Sequence, residues 1–346
     1  MLNRRTLLLP SVLAITVAAF AVSSAYADGE LNLYSSRHYD TDERLYSDFE
    51  EQTGIKINRI EDSADVLIER MTAEGANSPA DVLLTVDAGR LYRADQAGLL
   101  QPIESAVLAE RIPENLRNPD GKWYGFSQRA RVIFYDENEV ADPPQSYQDL
   151  ADPKYAGKVC ARSSSNIYMI SLLAAIAEHV GEEAAQTWAQ GLKDNLARDP
   201  EGGDTDQLRA VASGECDIAV SNTYYFARAL GGDVDGLTGS TDMFGVVFPN
   251  QDSTGTHVNI SGAGVATNAP NRDNAIAFLE YLASDSAQDY FADGNNEYPV
   301  VVGIPLADAL SEMTPEGGFK ADDLNLDVLG KNQALAVQIY DRIGYE

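Results

Sequence analysis

From residue 29 onward, short apolar runs alternate with segments of helical spacing. Residues 31–35 read as a strand. The box-like pair Asp40 and Glu43 then starts a helix that passes Phe49 and stops near Gly54. Residues 55–60 read as the next strand, and Val66, Leu67, Arg70 and Met71 mark a second helix. A third apolar strand covers 81–86, and a helix over 89–97 closes at Gly98. Strands this short and apolar, without clean alternation, belong to sheets covered on both faces. The β-α-β-α-β order predicts a mainly parallel sheet flanked by helices.

Near residues 123–126 the pattern changes, and 131–135 run extended away from the first unit. Pro143-Pro144 and the turn DPKYAGK open a second α/β unit. It holds a strand at 158–160, a helix from about Tyr168 to Glu178, a strand at 217–221 and a helix beginning near Tyr224. Residues 244–248, ending at Pro249, read as a return crossing, and 262–267 as a further strand. Ala275, Phe278, Leu279 and Leu282 recur at helical spacing, and 321–340 read as mostly helical. A chain of 346 residues suits two domains. Two crossings predict two doubly wound α/β domains joined by a two-stranded hinge. Residues 28–129 with 249–303 form lobe one, and 130–248 with 304–346 form lobe two. Such a cleft closes by hinge motion.

The first 27 residues have the three parts of an export signal: Arg4 and Arg5, an apolar run from Leu7 to Val22, and the small-residue end Ala25-Tyr26-Ala27. Cleavage near Ala27 into a periplasm is favoured over a membrane anchor, because Pro10 and Ser11 interrupt the run and no basic cluster follows it. The arginine pair also resembles a twin-arginine signal. The formal net charge is −29, and cleavage removes two arginines and no acid. That balance excludes phosphate backbones, hence nucleic acid, as partners. The mature chain is expected to be a soluble monomer. Cys160 and Cys216 lie at or just before strands of the second unit; a disulfide is favoured there over two buried thiols.

Candidate chemistry follows the strand ends, where open α/β sheets bind ligands. Tyr39 follows the first strand, Tyr168 sits in the Ser-rich turn RSSSNIYMISL, and Tyr224 and Tyr225 follow the strand at 217–221. With 17 tyrosines, composition alone gives about 0.8 adjacent pairs, so the pair proves little without its placement. Phenolate oxygen is a hard anionic donor, matched to a small, highly charged cation. Tyr39 from one lobe and the other three from the second would latch a cleft shut. His38 is an alternative nitrogen donor. Arg129 or Arg131 would offset residual negative charge, with pairing to surface acids as the competing role. His179, at a helix end, and His257, in a loop, carry no metal role. Phosphate-loop, nucleophile-elbow, zincin and CxxC motifs are all missing from the sequence, and no enzyme is expected.

The segments YSSRHYDTD, ADVLLTVDAGRLYRADQAGLLQP, WYGFSQRARVIFYD, GKVCARSSSNIYMISL and GECDIAVSNTYYFARAL resemble ferric-iron-binding periplasmic proteins of ABC importers. The likeness is to the cyanobacterial-type FutA group and covers nearly the whole mature chain. It implies a type II periplasmic-binding-protein fold carrying Fe3+ between its lobes, with Fe2+ as an alternative cargo. The partners it implies are an ABC permease and its ATPase. By motif, the group's ligand tyrosines fall on Tyr39, Tyr168, Tyr224 and Tyr225. His38 matches a histidine whose participation varies, and Arg129 matches an arginine near the metal. Binding of a polyamine or oxyanion on the same fold, or iron buffering without transport, are the rival functions.

Overall fold

A computed structural model describes residues 29–37, 41–232 and 234–346. The export segment 1–27, His38, Tyr39 and the helix-starting Asp40 lie outside the described residues. Among the described residues nine strands run in chain order: β1 Gly29–Ser35, β2 Ile55–Glu61, β3 Val82–Val86, β4 Tyr124–Asp136, β5 Val159–Cys160, β6 Ile218–Asn222, β7 Phe244–Val247, β8 Val258–Val265 and β9 Tyr298–Pro299. The central order is β2-β1-β3-β8-β4-β6-β5, with β7 and β9 also on β4.

The expected parallel set is present, since β1 pairs with both β2 and β3 in parallel. Helices supply the crossovers because their apolar positions recur on one face. Asp42–Thr53 buries Leu45, Tyr46 and Phe49 and stops at Gly54, whose φ of 74° suits glycine. β8 then adds antiparallel to β3, making the sheet mixed rather than purely parallel.

Two α/β lobes are joined by β4 and β8. The first half of β4 pairs with β8, and its second half pairs with β6 and β7. Alternation along β4 serves two faces of the second lobe: Ile133 packs in one core cluster, Val132 and Phe134 in the other. Along β8, Val258 belongs to a second-lobe core and Ile260 and Ala263 to the first. Gly262 is required where the two joining strands touch, since a Cβ there would meet the Tyr124 carbonyl oxygen at 2.7 Å.

Two expectations about elements are corrected. Residues 244–248 do not cross back: β7 pairs with β4 from Ile133 to Asp136, inside the second lobe. The return strand is β8, which begins four residues earlier than the strand expected at 262. A short apolar run signals a strand equally well at either place, and only the partner strand separates them. Residues 321–340 are mostly helical, as expected, in Asp327–Lys331 and in Gln333–Ile343, which runs on past 340. The helices Glu182–Asp194 and Asp204–Ala212, unassigned from the sequence, connect β5 to β6.

Candidate metal site

Three of the four candidate tyrosines meet at the carboxyl ends of β5 and β6. Asn166 caps the helix Ile167–Val180 by accepting the Tyr168 backbone N–H at 3.1 Å, which holds Tyr168 in the first turn. Tyr224 and Tyr225 open the helix Thr223–Leu230 directly after β6. The strands carrying these turns are parallel neighbours, and a Cys160–Cys216 disulfide joins the last residue of β5 to the segment just before β6, with Cα atoms 6.0 Å apart.

The Tyr168 and Tyr224 hydroxyl oxygens lie 3.4 Å apart, and the Tyr224 and Tyr225 rings are 4.1 Å apart between centroids. Hard cations hold oxygen donors at about 2.0–2.6 Å, so oxygens at that separation can share one ion. Tyr168 and Tyr225 line a cleft of about 670 Å³ whose opposite wall is Ser36, Glu61, Asp62 and Arg90. β1 thus delivers the chain to the cleft at Ser36, three positions before Tyr39. Among the described residues no group of three or more His, Cys, Asp or Glu is arranged to hold a metal.

Guanidinium groups surround these rings. Arg129 and Arg228 lie over Tyr224, at 5.8 and 5.3 Å from the centroid. Arg131 and Arg162 lie over Tyr168, at 5.9 and 6.0 Å. The competing role expected for Arg129 and Arg131, pairing with surface acids, is corrected in kind: their acids are buried. Arg129 meets Glu297 and donates to the Ser261 hydroxyl at 2.6 Å. Arg131 donates to Asp204 at 2.7 Å and to the Asn222 side chain at 2.9 Å. Burial alone would push the Glu297 carboxyl up, but Arg37 and Arg129 on either side, with the Ser127 hydroxyl, hold it down at about 2.

Arg37, the last described residue before His38, is clamped by both oxygens of Asp42 at 2.9 and 3.0 Å and by Glu297 at 3.0 Å. Asp87, buried directly after β3, accepts from Ser171 at 2.7 Å and from Asn259 of β8 at 2.8 Å. Burial pushes that carboxyl up.

Neither described histidine lines the cleft. His179 pairs with Asp322 at 2.7 Å, so its helix-end position serves a specific partner rather than the dipole alone. His257 is buried, and its backbone N–H donates to the Tyr147 hydroxyl at 3.0 Å. Sequence reasoning missed Arg162, Arg228, Asp204 and Glu297. Spacing could have found Arg228, one helical turn beyond Tyr224, and Arg162 opens the Ser-rich turn. No local pattern marks Asp204 or Glu297.

Residues 77–319 match the family described as bacterial extracellular solute-binding protein. Iron uptake proteins A1 and A2 of Synechocystis are 49% and 50% identical to the chain, over 92% and 100% of it and 88% and 99% of their own lengths. A solved structure of Trichodesmium IdiA (FutA), in complex with iron and citrate ligands, shares 53% identity. It superposes with a TM-score of 0.88 over 92% of this chain and 100% of its own. Alike in sequence over most of its length and alike in its two α/β lobes, the chain belongs to the bacterial extracellular solute-binding proteins, among the cyanobacterial iron uptake proteins and with their type II periplasmic-binding fold.

Proposed function

We propose that this is the substrate-binding protein of an iron ABC importer, which takes Fe3+ into the interlobe cleft and delivers it to the permease. The observation that carries this reading is the pair of hydroxyl oxygens of Tyr168 and Tyr224, 3.4 Å apart beside the arginine-flanked cleft. Tyr168, Tyr224 and Tyr225 supply oxygens from one lobe, Tyr39 supplies the fourth from the other, and Arg129 offsets the remaining negative charge. His38 is the alternative first-lobe donor, and Fe2+ the alternative cargo. Lobe one is 28–129 with 249–303 and lobe two is 130–248 with 304–346; the metal bridges them and holds the cleft closed. The mature protein, cleaved near Ala27, works in the periplasm as a monomer beside a permease and its ATPase, and performs no catalysis. The names of the relatives, iron uptake and ferric iron-binding proteins, support the cargo.

A tyrosine hydroxyl ordinarily titrates near 10, so capture displaces protons and affinity falls as the pH falls. Adding ferric nitrilotriacetate to the apoprotein is expected to raise a red-to-purple phenolate charge-transfer band. Tyr224→Phe with Tyr225→Phe is expected to abolish the band and cost more than the roughly 100-fold associated with losing an outer partner. A colourless titration without uptake refutes the ferric reading.

A further inference from the structure

We propose that Asp204 is a positioning residue that sets the Tyr168 turn against the Tyr224–Tyr225 turn. The inference rests on the ferric site described above. Asp204 opens the helix Asp204–Ala212 and is 0% exposed. One of its oxygens accepts Arg131 at 2.7 Å and the backbone N–H of Asn222 at 3.2 Å; the other accepts Arg162 at 2.8 Å. The Asn222 side chain in turn accepts Arg131 at 2.9 Å.

Each partner belongs to a segment that carries or faces a candidate ligand. Asn222 ends β6 directly before the helix of Tyr224 and Tyr225. Arg162 opens the Ser-rich turn that leads to Tyr168, and Arg131 comes from β4, which pairs with β6. One carboxylate therefore holds three segments in register, and it does so through charge-assisted hydrogen bonds, which are short and directional. It also keeps two like charges, Arg131 and Arg162, over the same Tyr168 ring, where they would otherwise repel one another. The disulfide ties the end of β5 to the segment entering β6, whereas Asp204 ties the end of β6 to the turns where the phenols sit.

The test titrates mature wild-type, Asp204→Asn, Asp204→Glu and Arg162→Gln proteins with ferric nitrilotriacetate, reading affinity and the charge-transfer band at saturation. Asp204→Asn is expected to bind about 10- to 100-fold more weakly, with a band displaced in wavelength, because outer partners tune ligand geometry to that extent. Asp204→Glu is expected to recover part of both. A merely structural residue would lower the melting temperature and leave the saturated band unmoved, and that result overturns the proposal. If Asp204→Asn does not fold, Arg162→Gln decides: its side chain is partly exposed, and wild-type affinity and band in that variant overturn the proposal. Arg342→Gln, which breaks an exposed pair with Glu182, is the control, and an equal loss there overturns it too. Failure of wild-type protein to bind ferric ion refutes the proposed function, and this inference falls with it. Failure confined to the Asp204 comparison refutes the inference alone.

Discussion

Arg129 and Arg131 stand two residues apart on one face of β4, each against a buried carboxylate, yet they tie together different parts of the molecule. Arg129 meets Glu297, which also holds Arg37 at the edge of the first lobe, and all three side chains are sealed from water. Arg131 meets Asp204, whose second partner, Arg162, keeps 22% of its side chain exposed in the cleft wall. The hinge-side cluster thus spans sequence from 37 to 297, whereas the Asp204 cluster stays within the second lobe. A strand's period of two places both arginines identically; what each one does is set by the carboxylate it meets.

The sharpest way to break this contrast is Glu297→Gln. It leaves Arg37 and Arg129 buried around a neutral amide, and removing one partner of a buried pair costs about 3–5 kcal/mol. Asp204→Asn should cost less, because water reaches Arg162. Urea unfolding of both variants checks this, and equal losses would erase the distinction. Next in size, Cys160→Ser with Cys216→Ser removes a cross-link spanning 56 residues and should cost about 2–4 kcal/mol. That loss should fall on the second lobe, read as faster hydrogen exchange in β5 and β6 than in β1 to β3.

Acid should act on the two regions in turn. Burial first, then the charges of Arg131 and His179, hold the His257 imidazole at about 3, below its ordinary 6.5. The unfolded chain therefore binds more protons in that interval, so this contribution is complete above pH 6.5 and shrinks as the pH falls toward 3. The Glu297 contribution is complete above about 4.5 and is lost as the pH falls through 2. Stability measured against pH should start to fall below 6.5. His257→Gln should flatten the loss between 6.5 and 4.5 and reduce, without removing, the loss below 4.5, where Glu297 also contributes. The smallest effect belongs to the exposed pairs: Arg342→Gln should stay within about 0.5 kcal/mol of wild type by urea unfolding.

Local chemistry makes much of this protein readable from its sequence. The strand–helix alternation over 29–98 follows from periodicity and from stops such as Gly54, which act over a few residues. The tyrosine turns were equally legible, because a strand that ends in a Ser-rich turn or in Asn222-Thr223 leaves its next residues at the sheet edge. The return strand was not, since Phe244–Val247 and Val258–Val265 are both short apolar runs and differ only in what they pair with.

By itself the sequence determined the two α/β units, the turns that carry Tyr168, Tyr224 and Tyr225, and the acidic character, because propensity, spacing and charge are properties of neighbouring residues. Only the tertiary structure decided that Tyr168 and Tyr224 come within 3.4 Å, and that Arg129 and Arg131 answer to Glu297 and Asp204. Those contacts join residues 56, 168 and 73 positions apart, and they exist only once β4, β6 and their helices have packed. Burial then fixes each charge against a partner it never meets along the chain.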